Sequence, residues 1–251
     1  MITLIKNNIK LENNYYLEII EKKENLPCNV FDIKNIQLNK FLKEQNCLIL
    51  IDCDSLKEYE YKKVLKKLLK IKSILLKRKT HLGVLQKDLF LLGYILNYDE
   101  NNKLHKEFIL AINAITFNTN NERYNYIYDK VCDYLDSFFY GKNLCDFKNN
   151  RCQNGKASTQ IGCCRHFKHK GLGPFSKFIP CEHLSEDKTC GAKCISCKLF
   201  TCPYLEKKGI KFKINEILLL NVFFNPIQKY FIKTMVFTPK GKIIRRLLIF
   251  S

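Results

Sequence analysis

The residues with the most chemistry to offer are thirteen cysteines, of which nine fall within residues 145–202. Thiolate sulfur binds zinc and iron–sulfur clusters, and two cysteines separated by two residues can reach one metal ion from a single turn. The pair Cys194 and Cys197 has this spacing. We therefore predict a metal site. Its candidate ligands are Cys145, Cys152, Cys163, Cys164, Cys181, Cys190, Cys194, Cys197 and Cys202.

The segment that carries these thiols needs something other than an apolar core to hold it. Residues 141–205 are rich in Gly, Lys, Asn and Cys and lack a long apolar periodicity. Ordering a backbone costs roughly 1–2 kcal/mol per residue, and a structural zinc contributes roughly 10–16 kcal/mol in small modules. Metal ligation is therefore favoured over disulfides or redox-active thiols. The cofactor is zinc or an iron–sulfur cluster, and the spacing leaves open which thiols share a site.

Four short motifs in this segment resemble one known family. They are Gly162-Cys163-Cys164, Cys181-Glu-His-Leu184, Thr189-Cys190 and Cys197-Lys-Leu-Phe200. In this order they are similar to the YkgJ-like family of zinc- or iron-chelating cysteine-cluster domains, over about residues 145–205. The resemblance implies chelation of zinc or iron by the cluster. The sequence departs from the family pattern at Cys145 and Cys152, which are more widely spaced, and at Lys198, where the family has Arg.

Charge gives a second functional signal. The formal net charge is +19, and residues 141–251 hold 21 basic and 6 acidic side chains. Two basic stretches without acid, Lys62–Lys79 and Lys229–Arg246, predict contact with nucleic acid or another polyanion. A solvated lysine-rich face is the simpler interpretation of the first stretch. Part of the surplus in the second half of the chain is expected to compensate anionic thiolate sites.

The N-terminus and the apolar runs bear on the compartment. The first residues contain no apolar signal core, and the longest late apolar run, residues 217–224, is far shorter than the ~20 residues of a membrane span. We therefore expect a cytoplasmic protein without a transmembrane segment. In a reducing compartment, clustered cysteines are better explained as metal ligands than as disulfides.

Hydrophobic periodicity predicts the secondary-structure elements that must position the cysteines. It predicts an α+β protein, mostly helical, with a mixed α/β N-terminal region, an irregular metal-stapled cysteine module and C-terminal helices. In the N-terminal region, residues 1–5 and 15–20 are expected to pair as strands, and Cys47–Asp52 is expected to be a buried strand. Helices are predicted from Asp54 onward, in residues 104–117 and 124–139, and in residues 215–222 and 226–235.

The same patterns predict three regions. Residues 1–140 would be an α-rich α+β scaffold, residues 141–205 the cysteine-rich metal-binding module, and residues 206–251 basic helices that pack on the module or the scaffold.

Three functions are compatible with these features. The first is a metal-binding protein that holds zinc or an iron–sulfur cluster through the nine cysteines. The second is a zinc-stabilised nucleic-acid-binding protein, and the third is an iron–sulfur enzyme of electron or methyl transfer. The sequence contains no phosphate loop, nucleophile elbow or His-Glu-x-x-His motif, so no catalytic residue is assigned.

Overall fold

Contacts divide the chain into two compact units, Met1–Phe117 (unit 1) and Asn118–Ser251 (unit 2). The computed structural model describes residues 3–4, 29–33, 47–53, 56–82, 94–96, 99, 101–142, 147–148, 151–152, 168–170, 177–179 and 194–251. The helix that spans residue 140 belongs to unit 2. The three predicted regions, 1–140, 141–205 and 206–251, stay a prediction.

Unit 1 contains four short parallel strands. These are β1 (Thr3–Leu4), β2 (Asn29–Asp32), β3 (Cys47–Asp52) and β4 (Tyr94–Leu96). The sheet order is β1-β4-β3-β2, and the register sets Asn29 opposite Cys47 and Leu50 opposite Tyr94. Parallel neighbours require crossover connections, and the longest helix among the described residues lies between β3 and β4 in sequence.

Two amphipathic helices supply most of the buried side chains described in unit 1. They are α1 (Glu58–Leu82) and α2 (Lys103–Thr116). Acidic residues lie in the first turn of α1, where their negative charge interacts favourably with the positive end of the helix dipole. The side chain of Asn102 accepts hydrogen bonds from the first backbone N–H groups of α2, which fixes where that helix begins. The rings of Tyr61 and Phe108 meet edge to face at 4.9 Å between centroids, so the two helices pack on each other.

Unit 2 contains α3 (Asn120–Lys142), and five shorter helices follow it in the described part of the unit. The short helices are α4 (Ile195–Lys198), α5 (Pro203–Lys207), α6 (Leu218–Phe223), α7 (Pro226–Thr234) and α8 (Lys240–Ile249). A 3-10 turn at Ile214–Glu216 precedes α6. Two antiparallel strand pairs complete the described elements: β5 (Phe147–Lys148) with β6 (Arg151–Cys152), and β7 (Lys168–Lys170) with β8 (Lys177–Ile179).

The C-terminal helices are held by one buried amide. Gln228 closes a capping box with Asn225 at the start of α7. Its side-chain nitrogen also donates to the Leu247 carbonyl of α8 at 2.7 Å and to the Tyr124 hydroxyl of α3 at 3.1 Å. The helices predicted at 226–235 and 124–139 are confirmed. Gln228 of α7 connects its own helix to both α3 and α8.

The predicted α+β class, with its mixed α/β N-terminal region, was wrong. Over the residues whose side chains are described, 72% are helical. Among the described strands, none exceeds six residues, and only Ile49 and Ile51 of β3 are described as buried strand residues. The expected pairing of residues 1–5 with 15–20 stays a prediction, and β1 pairs in parallel with β4. Residues 15–20 lie outside the described residues.

The physical reason is that apolar side chains of unit 1 are used mainly on helix faces. Tyr61, Leu65 and Leu68 of α1 are buried, as the periodicity predicted, whereas Asp54, the expected N-cap, lies outside the described residues.

Within the part of the chain that the structure describes, no helix is long and apolar enough to cross a lipid bilayer.

Candidate metal centre

Three of the nine candidate ligands are described together with their side-chain surroundings: Cys194, Cys197 and Cys202. Cys152 lies in β6, for which the backbone alone is described. The other five lie outside the described residues: Cys145, Cys163, Cys164, Cys181 and Cys190. The geometry of the candidate site is therefore the geometry around Cys194 and Cys197.

Cys194 and Cys197 are brought together by the short turn of α4. Cys194 is the N-cap residue and Cys197 lies one turn later, so both sulfurs lie on the same side of the turn. A side-chain hydrogen bond joins the two sulfurs. Cys194 is 1% exposed, whereas Cys197 is half-buried. We name these two residues the thiol pair.

A loop between α7 and α8 presents its backbone to the thiol pair. The N–H of Phe237 donates to the sulfur of Cys197 at 3.1 Å, and the Cys194 thiol lies 3.6 Å from the carbonyl oxygen of Met235. Phe237 has a φ of 55°, in the left-handed region that is costly for a residue with a Cβ. The surrounding contacts therefore hold an unfavourable backbone conformation that directs an N–H group at sulfur.

The pKa of Cys194 is lowered to about 6. The hydrogen bond from Cys197 is the main cause. Burial opposes it, and the backbone N–H groups of Cys197, Thr238 and Ser196 act in the same direction as the Cys197 side chain. Since a hydrogen bond to the charged form favours that form, Cys194 is a thiolate at neutral pH, which is the form that binds metal.

Two helices anchor the turn that carries the thiol pair. The backbone N–H of Ile195 donates to the hydroxyl of Tyr128 on α3 at 2.9 Å. The hydroxyl of Ser196 donates to a carbonyl of α7. Lys198, buried at the end of α4, pairs with Asp136 of α3. With the bond from Phe237 to Cys197, each residue of α4 thus has a contact that fixes the turn against another element of unit 2.

Cys132 lies near the thiol pair, and its pKa is shifted in the direction opposite to that of Cys194. It is fully buried on α3, and burial is the main cause that raises its pKa to about 12. Lys198 lowers this pKa, while Asp136, Asp129 and Cys194 raise it. A thiol that keeps its proton is a poor metal ligand. The prediction that Cys132 is a core residue is confirmed.

Cys202 does not extend the thiol pair into a larger cluster. Its carbonyl accepts from the N–H of Glu206 at 3.0 Å where α5 begins. Across the described ranges, no group of three or more His, Cys, Asp or Glu side chains is placed to hold a metal ion. The predicted set of nine metal ligands stays a prediction.

The two predicted polyanion-binding stretches are divided between exposed and internally bonded cations. On α1, Lys63, Lys66 and Lys70 are exposed. Lys67 donates to the carbonyl of Ile33 at 2.9 Å. The buried Lys72 donates to backbone carbonyls at the end of α2. These last two lysines are hydrogen-bonded to backbone carbonyls within unit 1.

The stretch Lys229–Arg246 is divided in the same way. Lys229 donates to the side chain of Asn221 at 2.9 Å, and Lys240 pairs with Asp129 of α3 at 2.8 Å. The exposed cations of this stretch are Lys233, Lys242, Arg245 and Arg246.

Sequence reasoning missed the residues that act on the thiol pair from a distance. Tyr128, Asp136 and Phe237 are separated from it by 40 or more residues along the chain. Tyr128 was expected as an apolar stripe residue, and its burial is confirmed. No local pattern identifies its hydroxyl as the acceptor for Ile195 or the Phe237 N–H as a donor to sulfur.

Comparison with known proteins adds no family to this geometry. No protein-family model matches the chain, and neither the curated proteins nor the solved structures give a match.

Proposed function

We propose that the protein binds a metal through thiolates, with Cys194 and Cys197 as two of the ligands. The observation that carries the proposal is the pair of sulfurs joined by a hydrogen bond and faced by the backbone N–H groups of the loop between α7 and α8. Backbone N–H groups directed at sulfur stabilise thiolate charge, and such partners orient and tune the ligands of metal sites. The remaining ligands would come from the other seven clustered cysteines.

The donor set fits zinc or an iron–sulfur cluster, because both take four thiolates. It does not fit a hard ion such as Mg²⁺, which prefers oxygen. Bound zinc would supply folding energy to the cysteine-rich segment, and a cluster would supply the same energy together with a redox centre. The resemblance to YkgJ-like domains is part of this proposal and points to the same two metals.

Metal analysis of a matched pair of variants tests the ligand assignment. Cys197→Ser removes one thiolate of the thiol pair, and Cys53→Ala removes a buried thiol of unit 1 that no ligand assignment includes. Both proteins are purified without oxygen and analysed for zinc, iron and sulfide. We expect Cys197→Ser to lose metal by tenfold or more and Cys53→Ala to retain it. Equal metal content in the two variants would contradict the assignment.

Colour separates the two metals. Thiolate-ligated iron absorbs visible light, at roughly 400 nm, whereas zinc does not. A brown anaerobic preparation with iron and sulfide supports the cluster and, with it, the alternative of an electron- or methyl-transfer enzyme. A colourless preparation with stoichiometric zinc eliminates that enzyme.

A second candidate function is polyanion binding by α1. The observation in its favour is the spacing of Lys63, Lys66 and Lys70, which lie three and four residues apart and are all exposed. Such a stripe could follow a nucleic-acid backbone. Binding of a duplex and of a single strand is measured over a salt series, and counterion release predicts a log–log slope of about 0.7–0.9 per phosphate contacted. Absence of binding at low salt would eliminate this function.

A further inference from the structure

The C-terminal helices expose an unusual concentration of large apolar side chains. Five large hydrophobic side chains are exposed among the described residues, and four of them lie on α7 or at the end of α8. Ile227 is 52% exposed, Tyr230 63%, Ile249 67% and Phe250 36%. Scattered single exposures are normal for a protein surface, but a contiguous group indicates an interaction site.

Ring contacts through Phe231 connect Tyr230 of α7 with Phe250 at the end of α8. The rings of Phe231 and Phe250 lie 5.2 Å apart between centroids, and those of Tyr230 and Phe231 lie 6.0 Å apart. The side-chain nitrogen of Asn225 donates to the carbonyl of Phe250 at 2.8 Å, which fixes the end of α8 beside the start of α7. We name the surface formed by Ile227, Tyr230, Phe231, Ile249 and Phe250 the terminal apolar patch.

Positive charge borders the terminal apolar patch. Lys242, Arg245 and Arg246 occupy the exposed face of α8, while Ile243, Ile244 and Leu247 of the same helix are buried. Lys233, three residues after Tyr230, is also exposed. Residues 217–251 contain six basic side chains and no Asp or Glu. A partner for this surface must therefore accept apolar side chains and present negative charge next to them.

We propose that the terminal apolar patch and the cations of α8 bind the surface of a bilayer that contains anionic lipid. Apolar side chains beside Lys and Arg on a helix are the pattern of proteins that lie in the bilayer interface. The rings and isoleucines enter the headgroup region, and the Lys and Arg side chains bind the lipid phosphates. At ten residues, α8 lies along the interface and does not cross it.

The two isoleucines favour this partner over nucleic acid. Bases stack on aromatic rings because both have a π face, but an exposed isoleucine has none and gains little from such a contact. Ile249 is the most exposed residue of the patch. Transfer of its side chain from water into the acyl boundary is favourable.

Sedimentation with lipid vesicles tests the proposal on the full-length protein. The vesicles contain phosphatidylcholine alone or phosphatidylcholine with phosphatidylserine. We expect binding to the second kind and little to the first, with a loss of about fivefold for each cation removed from the surface. Arg245→Gln with Arg246→Gln should therefore lower the partition coefficient by about 25-fold. The charge-matched control is Lys57→Gln with Lys106→Gln, at two exposed lysines of unit 1 outside the predicted polyanion-binding stretches, which should leave binding unchanged.

An apolar pair of variants makes the test specific. Ile249→Ser should weaken vesicle binding, whereas Tyr59→Ser, at an exposed aromatic residue of α1, should not. Far-UV circular dichroism checks that each variant keeps its helices. The proposal is overturned if the protein does not bind anionic vesicles, or if the control with Lys57→Gln and Lys106→Gln loses as much binding as the α8 variant. It is also overturned if the α8 cations are needed for binding a single-stranded oligonucleotide but not for binding vesicles.

Discussion

At the scale of single residues, three thiols of unit 2 have different chemistry because their surroundings differ. Cys194 has a lowered pKa because Cys197 and backbone N–H groups donate to its sulfur. Cys132 has a raised pKa because it is buried on α3. Cys197 accepts from Phe237 and is half-buried, so it is the more accessible sulfur of the thiol pair.

These shifts predict how the stability of the reduced, metal-free protein depends on pH. The pKa of Cys194 falls from 9.0 to about 6 on folding, so the folded state binds fewer protons than the unfolded state between these pH values. The free energy of unfolding therefore rises with pH from about 6 to about 9, and this contribution is lost as the pH falls through 6.

Cys132 and Tyr128 act in the opposite direction at higher pH. The pKa of Cys132 rises from 9.0 to about 12, and burial also raises the pKa of Tyr128. Their contribution is complete below pH 9 and is lost as the pH rises toward 12, so the combined contribution of the three groups to stability peaks near pH 9. Urea unfolding at a series of pH values measures this profile. Cys194→Ser should abolish the rise between pH 6 and 9, and a rise that persists in this variant would refute the assigned cause.

At the scale of elements, the thiol pair depends on how α4 is attached to α3. The four-residue helix α4 is too short to be stable alone, so tertiary contacts must hold it. The Lys198–Asp136 pair is one such contact, and the Lys198 side chain is only 5% exposed.

Removal of the acid from this pair should be costly. Asp136→Asn leaves the buried Lys198 ammonium without its counterion, and we expect a loss of about 3 kcal/mol in the free energy of unfolding. The matched control is Asp129→Asn on the same helix, whose partner Lys240 is more exposed, and we expect a loss of less than about 1 kcal/mol. Denaturant unfolding compares the two. Equal losses in the two variants would show that the burial of Lys198 does not determine the loss in free energy of unfolding.

The elements also show what sequence could and could not predict. The stripe Val131, Cys132, Leu135 and the run Phe108, Ile112, Ile115 are buried as helical spacing predicted, because local periodicity records which face of a helix meets the core. The fold class was wrong because short apolar runs do not reveal how much of the chain will form strands. The N–H groups of the loop between α7 and α8 could not be predicted, since the contacts that bring them to sulfur join distant parts of the chain.

At the scale of the whole molecule, each unit holds a buried cysteine outside the predicted ligand set. Cys53 is fully buried in unit 1, where Tyr61 bonds to its carbonyl at 2.9 Å, and Cys132 is fully buried in unit 2. Metal binding that stabilises the cysteine-rich segment would act on unit 2 first, because all nine clustered cysteines belong to that unit.

Chelation of the metal should therefore expose one thiol before the other. After treatment with a chelator and a reductant, we expect alkylation of Cys132 to accelerate while Cys53 remains protected, since a metal contributes folding energy to the unit that binds it. Mass spectrometry of the alkylated peptides measures both rates in one sample. Simultaneous exposure of the two thiols, or protection of both, would be inconsistent with a metal that stabilises unit 2.

The most direct measurement for the central claim is the metal content of the wild-type protein purified without oxygen, compared with the variant Cys194→Ser with Cys197→Ser. The account predicts stoichiometric zinc, or iron with sulfide, in the wild type and a large loss of that metal in the variant. A wild-type protein without bound metal, or a variant that retains the full amount, would contradict it.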